Sequence, residues 1–400
     1  YPQSGICGAM VAYKVVCLLL EKADFIEKKG KEELLSELTV PVAFATVCDV
    51  MELTGENRAV VAKGLKRAKE CNIPGVRALL AAYELDDKDL TAYHAGFLLG
   101  PCFNAAGRLD TALLGLELLL CENEAEAHTR ASYLKELNDI RKQMTQTAAE
   151  QAIVLAEEKL AKEDVQVLVL YLSDCHESLA GIVAGRIREK FYRPTIILTK
   201  GENCVKGSGR SIEGYSMFEK LSEQKELFLA FGGHPMAAGL SLEEKNIPVL
   251  EERLNQAAGL NEEQLTPKLY LDAVLPFDAI TEELMEELAL LEPFGNGNSK
   301  PVFAMSGVRL KGMRRIGKDG SSLRLQLTDA RGTSLTGLYF RDADGFERYL
   351  TGEFGGGTVQ ELYRGRTEVL LTLAFSPSMN EYQGEIYPQV IIDNYKKCIV

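Results

Sequence analysis

Tryptophan is absent from the 400 residues. Any stacking against a base must therefore come from Tyr, Phe, His or Arg. No two cysteines have the CxxC spacing, and no Cys/His set has the spacing of a zinc site. The nine cysteines are scattered, which argues against a disulfide framework and fits a reducing cytoplasm. Most of them read as small buried hydrophobes. No run of roughly 18 apolar residues occurs, so no spanning helix is expected. The opening Tyr1-Pro2-Gln3-Ser4-Gly5 has no initiator Met, no basic n-region and no signal peptide, and looks like a cut inside a longer protein. Positive charge is also short. A formal net charge of -13 argues weakly against nucleic acid covering the whole surface. It leaves room for a local basic groove, because distribution matters more than the sum.

What is present supports two to three domains with real cores, given the length and 46% hydrophobic residues. Residues 5–22 predict an apolar helix opened by small residues, and 25–38 a charged helix. The short apolar run VPVAFATVCDV at 40–50 reads equally as strand or helix. Near its end stands Asp49, placed either to bind a metal or to serve as a cap or turn carboxylate. An amphipathic helix follows Gly55, another follows Pro74, and a third over 88–100 is expected to end at Gly100-Pro101. In FNAAGRLD at 103–110, small residues bracket Asn104 and Arg108. Arg108 is either a phosphate contact on a tight backbone or a partner of Asp110 or of a helix end. Residues 125–162 contain neither Gly nor Pro and predict a rod of about 57 Å joining two domains.

A strand over 165–172, a helix over 178–191 and a strand over 194–199 suggest a βαβ unit with a parallel pair. His176 then lies at the carboxyl edge of a sheet, where ligands bind in open α/β folds, or in a helix-cap region. Two glycine-rich stretches come next, KGSGRS at 206–211 and FGGHPMAAG at 231–239. Glycine lets a backbone approach a ligand closely. Arg210 can grip a phosphate through two parallel hydrogen bonds. Ser208 and Ser211 add hydroxyls and His234 a ring nitrogen. Gly232 and Gly233 would offer unpaired N–H groups from a loop after a helix at 215–230. Tight glycine turns in α/β packing are the competing reading of each stretch. Beyond Leu265, short β-type runs with turn signals read as a small sandwich or barrel. Lys311, Arg314, Arg315, Lys318, Arg324 and Arg331, with Phe303, Tyr339 and Phe340 nearby, would suit single-stranded nucleic acid or form a solvated hairpin face.

These stretches, together with CDVMELTGENR at 48–58, LNDIRKQ at 137–143, HESLAGIVAGRI at 176–187 and LEPFGNGNSKPVF at 291–303, resemble the RecJ family of the DHH phosphoesterase superfamily. Those proteins are single-strand-specific 5′-to-3′ DNA exonucleases. The resemblance covers essentially all of the chain. It implies an α/β plus β fold: the C-terminal part of a DHH domain (1–124), a long connecting helix (125–162), an α/β DHH-associated domain (163–264) and a β-barrel OB-fold (265–400). It implies that Asp49 is a metal-binding carboxylate and that Asn104 and Arg108 line the channel near the 5′ phosphate. Ser208, Arg210 and Ser211 would grip phosphate, with His176, Gly232, Gly233 and His234 in the neighbouring loops. It further implies a two-metal Mn2+ or Mg2+ cofactor, a cytoplasmic monomer, and single-stranded DNA, a single-strand-binding protein and a helicase as partners.

The sequence departs from the family pattern in its metal motifs. No Asp-His-His occurs, and no paired Asp-x-Asp is read ahead of a glycine-rich helix start; these motifs are expected ahead of Tyr1. One carboxylate does not hold two divalent ions. Glu52 and Ser178 stand where the family usually has Pro and Gly, and both are expected to stay clear of the chemistry. The chain is thus expected to bind single strands weakly and not to cut them. A non-catalytic scaffold and a phosphodiesterase of short oligonucleotides or cyclic dinucleotides are the rival functions.

Overall fold

The computed structural model describes residues 2–23, 26–162, 165–317, 319–382 and 384–398. Lys318 of the expected basic stripe falls outside them. In chain order the helices are α1 (Gly8–Glu21), α2 (Lys28–Cys48), α3 (Gly55–Arg67), α4 (Pro74–Ala82), α5 (Gly100–Leu109), α6 (Leu113–Leu119) and α7 (Glu124–Lys162). An α/β stretch follows: β1 (Leu168–Tyr171), α8 (Ala180–Phe191), β2 (Thr195–Lys200), β3 (Val205–Arg210), α9 (Met217–Ser222), β4 (Phe228–His234), β5 (Ala237–Leu242) and α10 (Ile247–Gln256). The last stretch holds β6 (Ala273–Val274), α11 (Glu282–Ala289), β7 (Phe303–Ile316), β8 (Ser322–Thr328), β9 (Ser334–Tyr339), α12 (Ala343–Phe354), α13 (Thr358–Tyr363), β10 (Val369–Tyr382) and β11 (Glu385–Lys397). The chain divides into two units. One holds Tyr1–Lys66, Thr91–Tyr93 and Leu269–Val400, the other Arg67–Leu90 and His94–Lys268.

In the first unit, the ambiguous run at 40–50 is helical as far as Cys48. It continues the charged helix as one element, α2, straight through Pro41. An internal proline costs a helix about 3 kcal/mol, and burial of Val40, Val42, Ala43 and Phe44 offsets it. Gly64 of α3 lies against α2 so closely that a Cβ there would come 2.3 Å from the Thr39 carbonyl oxygen. Five strands close a barrel in the order β7-β8-β9-β11-β10, with β10 pairing back to β7, and β6 adds to β7 outside the ring. Leu310, Leu325, Leu371, Phe375 and Phe346 of α12 fill it. Strands β7 and β10 are far longer than the short runs that the sequence suggests. Register shifts bend each of them, so one strand turns a barrel corner: β7 reads as two runs, 302–305 and 308–315, and β10 reads only over its first half, 368–374.

In the second unit, the sheet order is β1-β2-β3-β5-β4, with β1 and β2 parallel and the other neighbours antiparallel. Helices α7 and α8 cover one face through Ala148, Ala152, Val183 and Ile187. Helices α9 and α10 cover the other through Met217, Leu221, Leu250 and Leu254. The rod is one helix of 39 residues, but it is an internal spine. Its first half packs on α4, α5 and α6 and its second half on α8 and β1, all within this unit. The helix expected to stop at Gly100-Pro101 instead continues into α5 through a π-helical turn, His94–Leu99. A wider turn relieves the clash that a proline ring makes with the preceding turn. The helix expected over 215–230 spans only Met217–Ser222; a 3-10 turn at Lys225–Leu227 follows, and β4 begins at Phe228.

Candidate nucleic-acid interface

The site is built around the start of α8. The turn after β1 carries His176, whose Nδ1 accepts from the Ser178 backbone N–H at 3.3 Å and sits 2.8 Å from the Ser178 hydroxyl. With Nδ1 accepting, the neutral ring carries its proton on Nε2, a donor suited to a phosphate oxygen. Arg108, in the last turn of α5, donates to the Ser178 carbonyl. Asn104 is exposed on the same helix one turn earlier, and an i, i+4 pair shares a face. On β3, alternation sends Ser208 and Arg210 to one side and Gly207 and Gly209 to the other. A Cβ on Gly207 or Gly209 would meet Leu198 or Met217 in the core beneath. The guanidinium of Arg210 donates to the Ser208 hydroxyl at 3.0 Å and to the Gly209 carbonyl at 2.8 Å.

Gly181, in the first turn of α8, is what lets these groups meet the helix. A Cβ there would fall 2.7 Å from Arg210 Nη2 and 2.9 Å from Ser208 Oγ. The positive end of the α8 dipole therefore lies against a cation and a hydroxyl, an arrangement that favours an anion. Across the sheet, Ser208 pairs with Gly239 and Gly239 with Gly232, while Arg210 pairs with Ala237 and Ala237 with His234. Directly opposed residues share a face. His234 thus stands roughly 10 Å from Arg210 at two strand spacings, across a floor of small residues. Nothing lies within 4 Å of a Cβ built on Gly232 or Gly239. His234 Nδ1 accepts from the Met236 N–H at 3.3 Å, so its Nε2 too is the donor. A cleft of about 330 Å³ opens between α7 and the β1–α8 turn, walled by Ile140, Met144 and Leu179 and edged by His176.

Several guanidinium groups of this unit act on one another. Burial first, then the charges of Arg108 and Arg188, holds the Arg210 guanidinium below its ordinary range. Burial first, then Arg108 and Arg186, does the same to Arg141 on α7. The hydrogen-bond partners of Arg108, Arg141, Arg186 and Arg210 are all neutral: the Ser178 carbonyl, the Asn138 and Gln146 amides, the Ser208 hydroxyl and the Gly209 carbonyl. In a chain of net charge -13, four arginines gather without a carboxylate partner among the described residues.

Several expectations are corrected. Ser211 is buried and its hydroxyl donates to the Tyr215 carbonyl at 2.5 Å, so it shapes a turn and does not reach the floor. Gly232, Gly233 and His234 are not in a loop. They belong to β4, an edge strand paired on one side with β5, and the chain turns directly from them into β5. Asp110 accepts from the Tyr133 hydroxyl at 2.9 Å, whereas Arg108 turns to Ser178. Ser178, expected to stay clear of the chemistry, supplies atoms to both His176 and Arg108. Arg141, Arg186 and Gly181 were missed; the only sequence signal was their position inside LNDIRKQ and HESLAGIVAGRI.

In the first unit, Asp49 is exposed at the C-terminal cap of α2. The CDVMELTGENR stretch around it binds the 292–298 turn. Leu53 N–H donates to the Asn296 carbonyl at 2.7 Å, Asn296 Nδ2 to the Val50 carbonyl at 2.8 Å, and Arg58 Nη2 to the carbonyls of Leu290 and Glu292 at 2.6 and 3.1 Å. On the barrel, Arg314 and Arg324 stand directly opposite each other on β7 and β8. They line two adjoining grooves of about 530 and 710 Å³. Lys311 is exposed on β7. Arg315 is taken up by Asp344 and Glu347, and Arg331 by Asp278. Phe303 and Tyr339 are core residues. The aromatics that edge the grooves are Tyr363 and Tyr387, and Phe340 is exposed.

Residues 164–259 match the DHHA1 domain and 271–394 the RecJ OB domain. The single-stranded-DNA-specific exonuclease RecJ of Salmonella typhimurium is 35% identical over 98% of this chain and 68% of its own length. The chain belongs to the RecJ family. The Escherichia coli RecJ exonuclease is 33% identical over the same shares, and that of Bacillus subtilis is 33% identical over 82% of this chain and 40% of its own length. The crystal structure of RecJ in complex with Mg2+ from Thermus thermophilus superposes with a TM-score of 0.75 at 28% identity, covering 91% of this chain and 53% of that one. The chain thus spans between two fifths and about two thirds of the length of these RecJ relatives.

A RecJ structure with Mn2+ is similar as well, which raises the question of a donor set for such an ion here. Among the described residues, no group of three or more His, Cys, Asp or Glu side chains is placed to hold a metal. Asp49 offers one exposed carboxylate, and divalent ions of this kind need several oxygen or imidazole ligands. The described residues do not fit a two-metal centre by themselves. No described helix is long and apolar enough to cross a membrane.

Proposed function

We propose that this chain holds single-stranded DNA by its phosphates for metal-dependent 5′-to-3′ hydrolysis, and that it supplies binding and not bond cleavage. The observation that carries this is the meeting of Arg210, Ser208 and Arg108 at the start of α8, with no carboxylate partner among the described residues. Arg210 would present its fork to the terminal phosphate, with the Ser208 hydroxyl and the Nε2 protons of His176 and His234 as further donors. The glycine floor lets the strand backbone lie close to the sheet. The cleft beside His176 offers apolar walls for the terminal sugar. On the barrel, Arg314 and Arg324 would follow the backbone while Tyr363 or Tyr387 stacks a base. Like charges directly opposed on a sheet are unfavourable alone, which supports an anionic partner for that pair.

The test uses a 5′-phosphorylated, end-labelled oligothymidine with Mn2+. Binding that weakens with salt, without release of nucleotide, is expected. Turnover by this chain alone would refute the division between binding and cleavage. The absence of a three-ligand cluster among the described residues equally favours a non-catalytic scaffold. Turnover by a protein that also carries the family's DHH motif tells the two apart. A phosphodiesterase of dinucleotides is disfavoured by the barrel, since so small a ligand needs no strand-guiding surface. Tighter binding to a dinucleotide than to a long strand would reverse that.

A further inference from the structure

Arg141 has no task in the floor described so far. It is half-buried on α7, and its Nε and Nη2 both donate to Asn138 Oδ1, at 3.1 and 3.0 Å. Asn138 is fully buried. Its Nδ2 donates to the Tyr83 hydroxyl at 3.0 Å, which lies 3.1 Å from Cys102 Sγ, and that sulfur reaches the Leu98 carbonyl at 3.5 Å. The chain of polar atoms thus runs from α7 past the end of α4 to α5 and the π turn. A tie between helices could stop at Asn138, whose amide already bridges α7 to Tyr83. The relay instead ends on a guanidinium. Two of its nitrogens are fixed on one carbonyl oxygen, and no described residue bonds its Nη1.

Arg108 and Arg186 stand close enough for their charges to act on Arg141. Arg186, exposed on α8, is itself steered by Gln146 of α7 at 3.0 Å. Holding a half-buried cation beside two others is unfavourable unless a counter-charge arrives, and the described residues provide none. We propose that Arg141, backed by Arg186, binds a second phosphate of the strand, beside the phosphate held by Arg210, and that Asn138 and Tyr83 are positioning residues for it. This rests on the strand-holding reading above. A single strand neutralised at Z phosphates loses affinity with salt at a slope of about -0.7Z, so each phosphate-binding residue can be counted.

The experiment follows binding of 5′-phosphorylated oligothymidine to the whole chain by fluorescence anisotropy across a salt series. Arg210→Ala serves as the comparator. Arg141→Gln is expected to weaken binding about tenfold at low salt and to lower the slope by about 0.7. Arg141→Lys should keep the slope and lose part of the affinity, because an ammonium cannot hold the fork on Asn138. Tyr83→Phe should weaken binding with the slope retained, as misaimed charge and not lost charge. If Arg141→Gln keeps the parent slope while Arg210→Ala lowers it, Arg141 is structural and the inference fails. If the parent chain shows no salt-dependent binding at all, the strand-holding reading fails first. Should Arg141→Gln melt early, Arg186→Gln decides, since its exposed side chain carries little of the fold. An unchanged slope there overturns the proposal, and a reduced one supports it.

Discussion

Replacing Gly181 by Ala should separate the stability of the fold from the grip on phosphate proposed for it. The new methyl would lie 2.7 Å from Arg210 Nη2 and 2.9 Å from Ser208 Oγ. Neither distance is tolerable, and both obstructing groups are side-chain ends that can swing away. In a helix, Ala is favoured over Gly by about 0.5–1 kcal/mol. The fold should therefore hold or gain slightly while Arg210 loses its seat beside α8. A hydrogen bond to a charged group contributes about 1.5–3 kcal/mol, which is roughly 10- to 150-fold in affinity at 1.4 kcal/mol per decade. The assay pairs thermal melting with the salt series of oligothymidine binding. The expected result is an unchanged or raised Tm, with weaker binding and a slope lowered by up to about 0.7. Equal affinity and slope in Gly181→Ala would refute the claim that Arg210 is seated there for a phosphate. A large fall in Tm would show instead that the guanidinium cannot move and is part of the core.

Leu53→Ala should cost about 2–5 kcal/mol in stability. Leu53 is 1% exposed and fills the space beneath Gly295, where a Cβ would fall 2.6 Å from its Cδ1; urea unfolding measures the loss. Changing Arg314 and Arg324 together to Gln should weaken binding of long strands and lower the salt slope, while leaving a dinucleotide unaffected. Equal losses on both ligands would place the effect elsewhere. Burial, and then the charge of Asp49, pushes the Cys48 thiol up to about 11. A group raised in the folded state favours folding fully below its ordinary value near 9, and this contribution is lost as pH rises through about 11. Melting between about pH 8 and 11 should therefore fall less steeply in Cys48→Ala than in the parent, and an identical alkaline fall would contradict the assignment.

The elements most legible in the sequence were those with strong local patterns. The Gly- and Pro-free run gave α7, and β-branched runs around HESLAGIVAGRI gave β1, α8 and β2. Ser208 and Arg210 were legible because alternation along a strand fixes their shared face. Ser211, one residue on, falls outside that alternation, and only the turn closed by Tyr215 shows that it is buried. The β4–β5 hairpin was read as a loop because glycines signal turns locally, while their use as a floor depends on register with a neighbouring strand. The helix through Gly100-Pro101 was missed because a π turn has no sequence mark of its own. Arg141 looked like any charge on a long polar helix. What singles it out is a buried asparagine three residues earlier and a tyrosine from beyond another helix, and periodicity carries neither.

The spine helix imposes a phase on this unit. Helices α4 to α6 are seated along its first half, and α8 with the sheet along its second. Each residue of helix advances about 1.5 Å and turns about 100°. Inserting or deleting one residue between the two halves would swing Arg108 away from Ser178, although every local contact on either side could persist. Only a change close to whole turns, such as about seven residues, would restore the angle, and it would then part the halves by about 10 Å. The length of α7 between its two sets of partners is therefore fixed to the residue, and an insertion there should abolish phosphate binding in a chain that still folds each half.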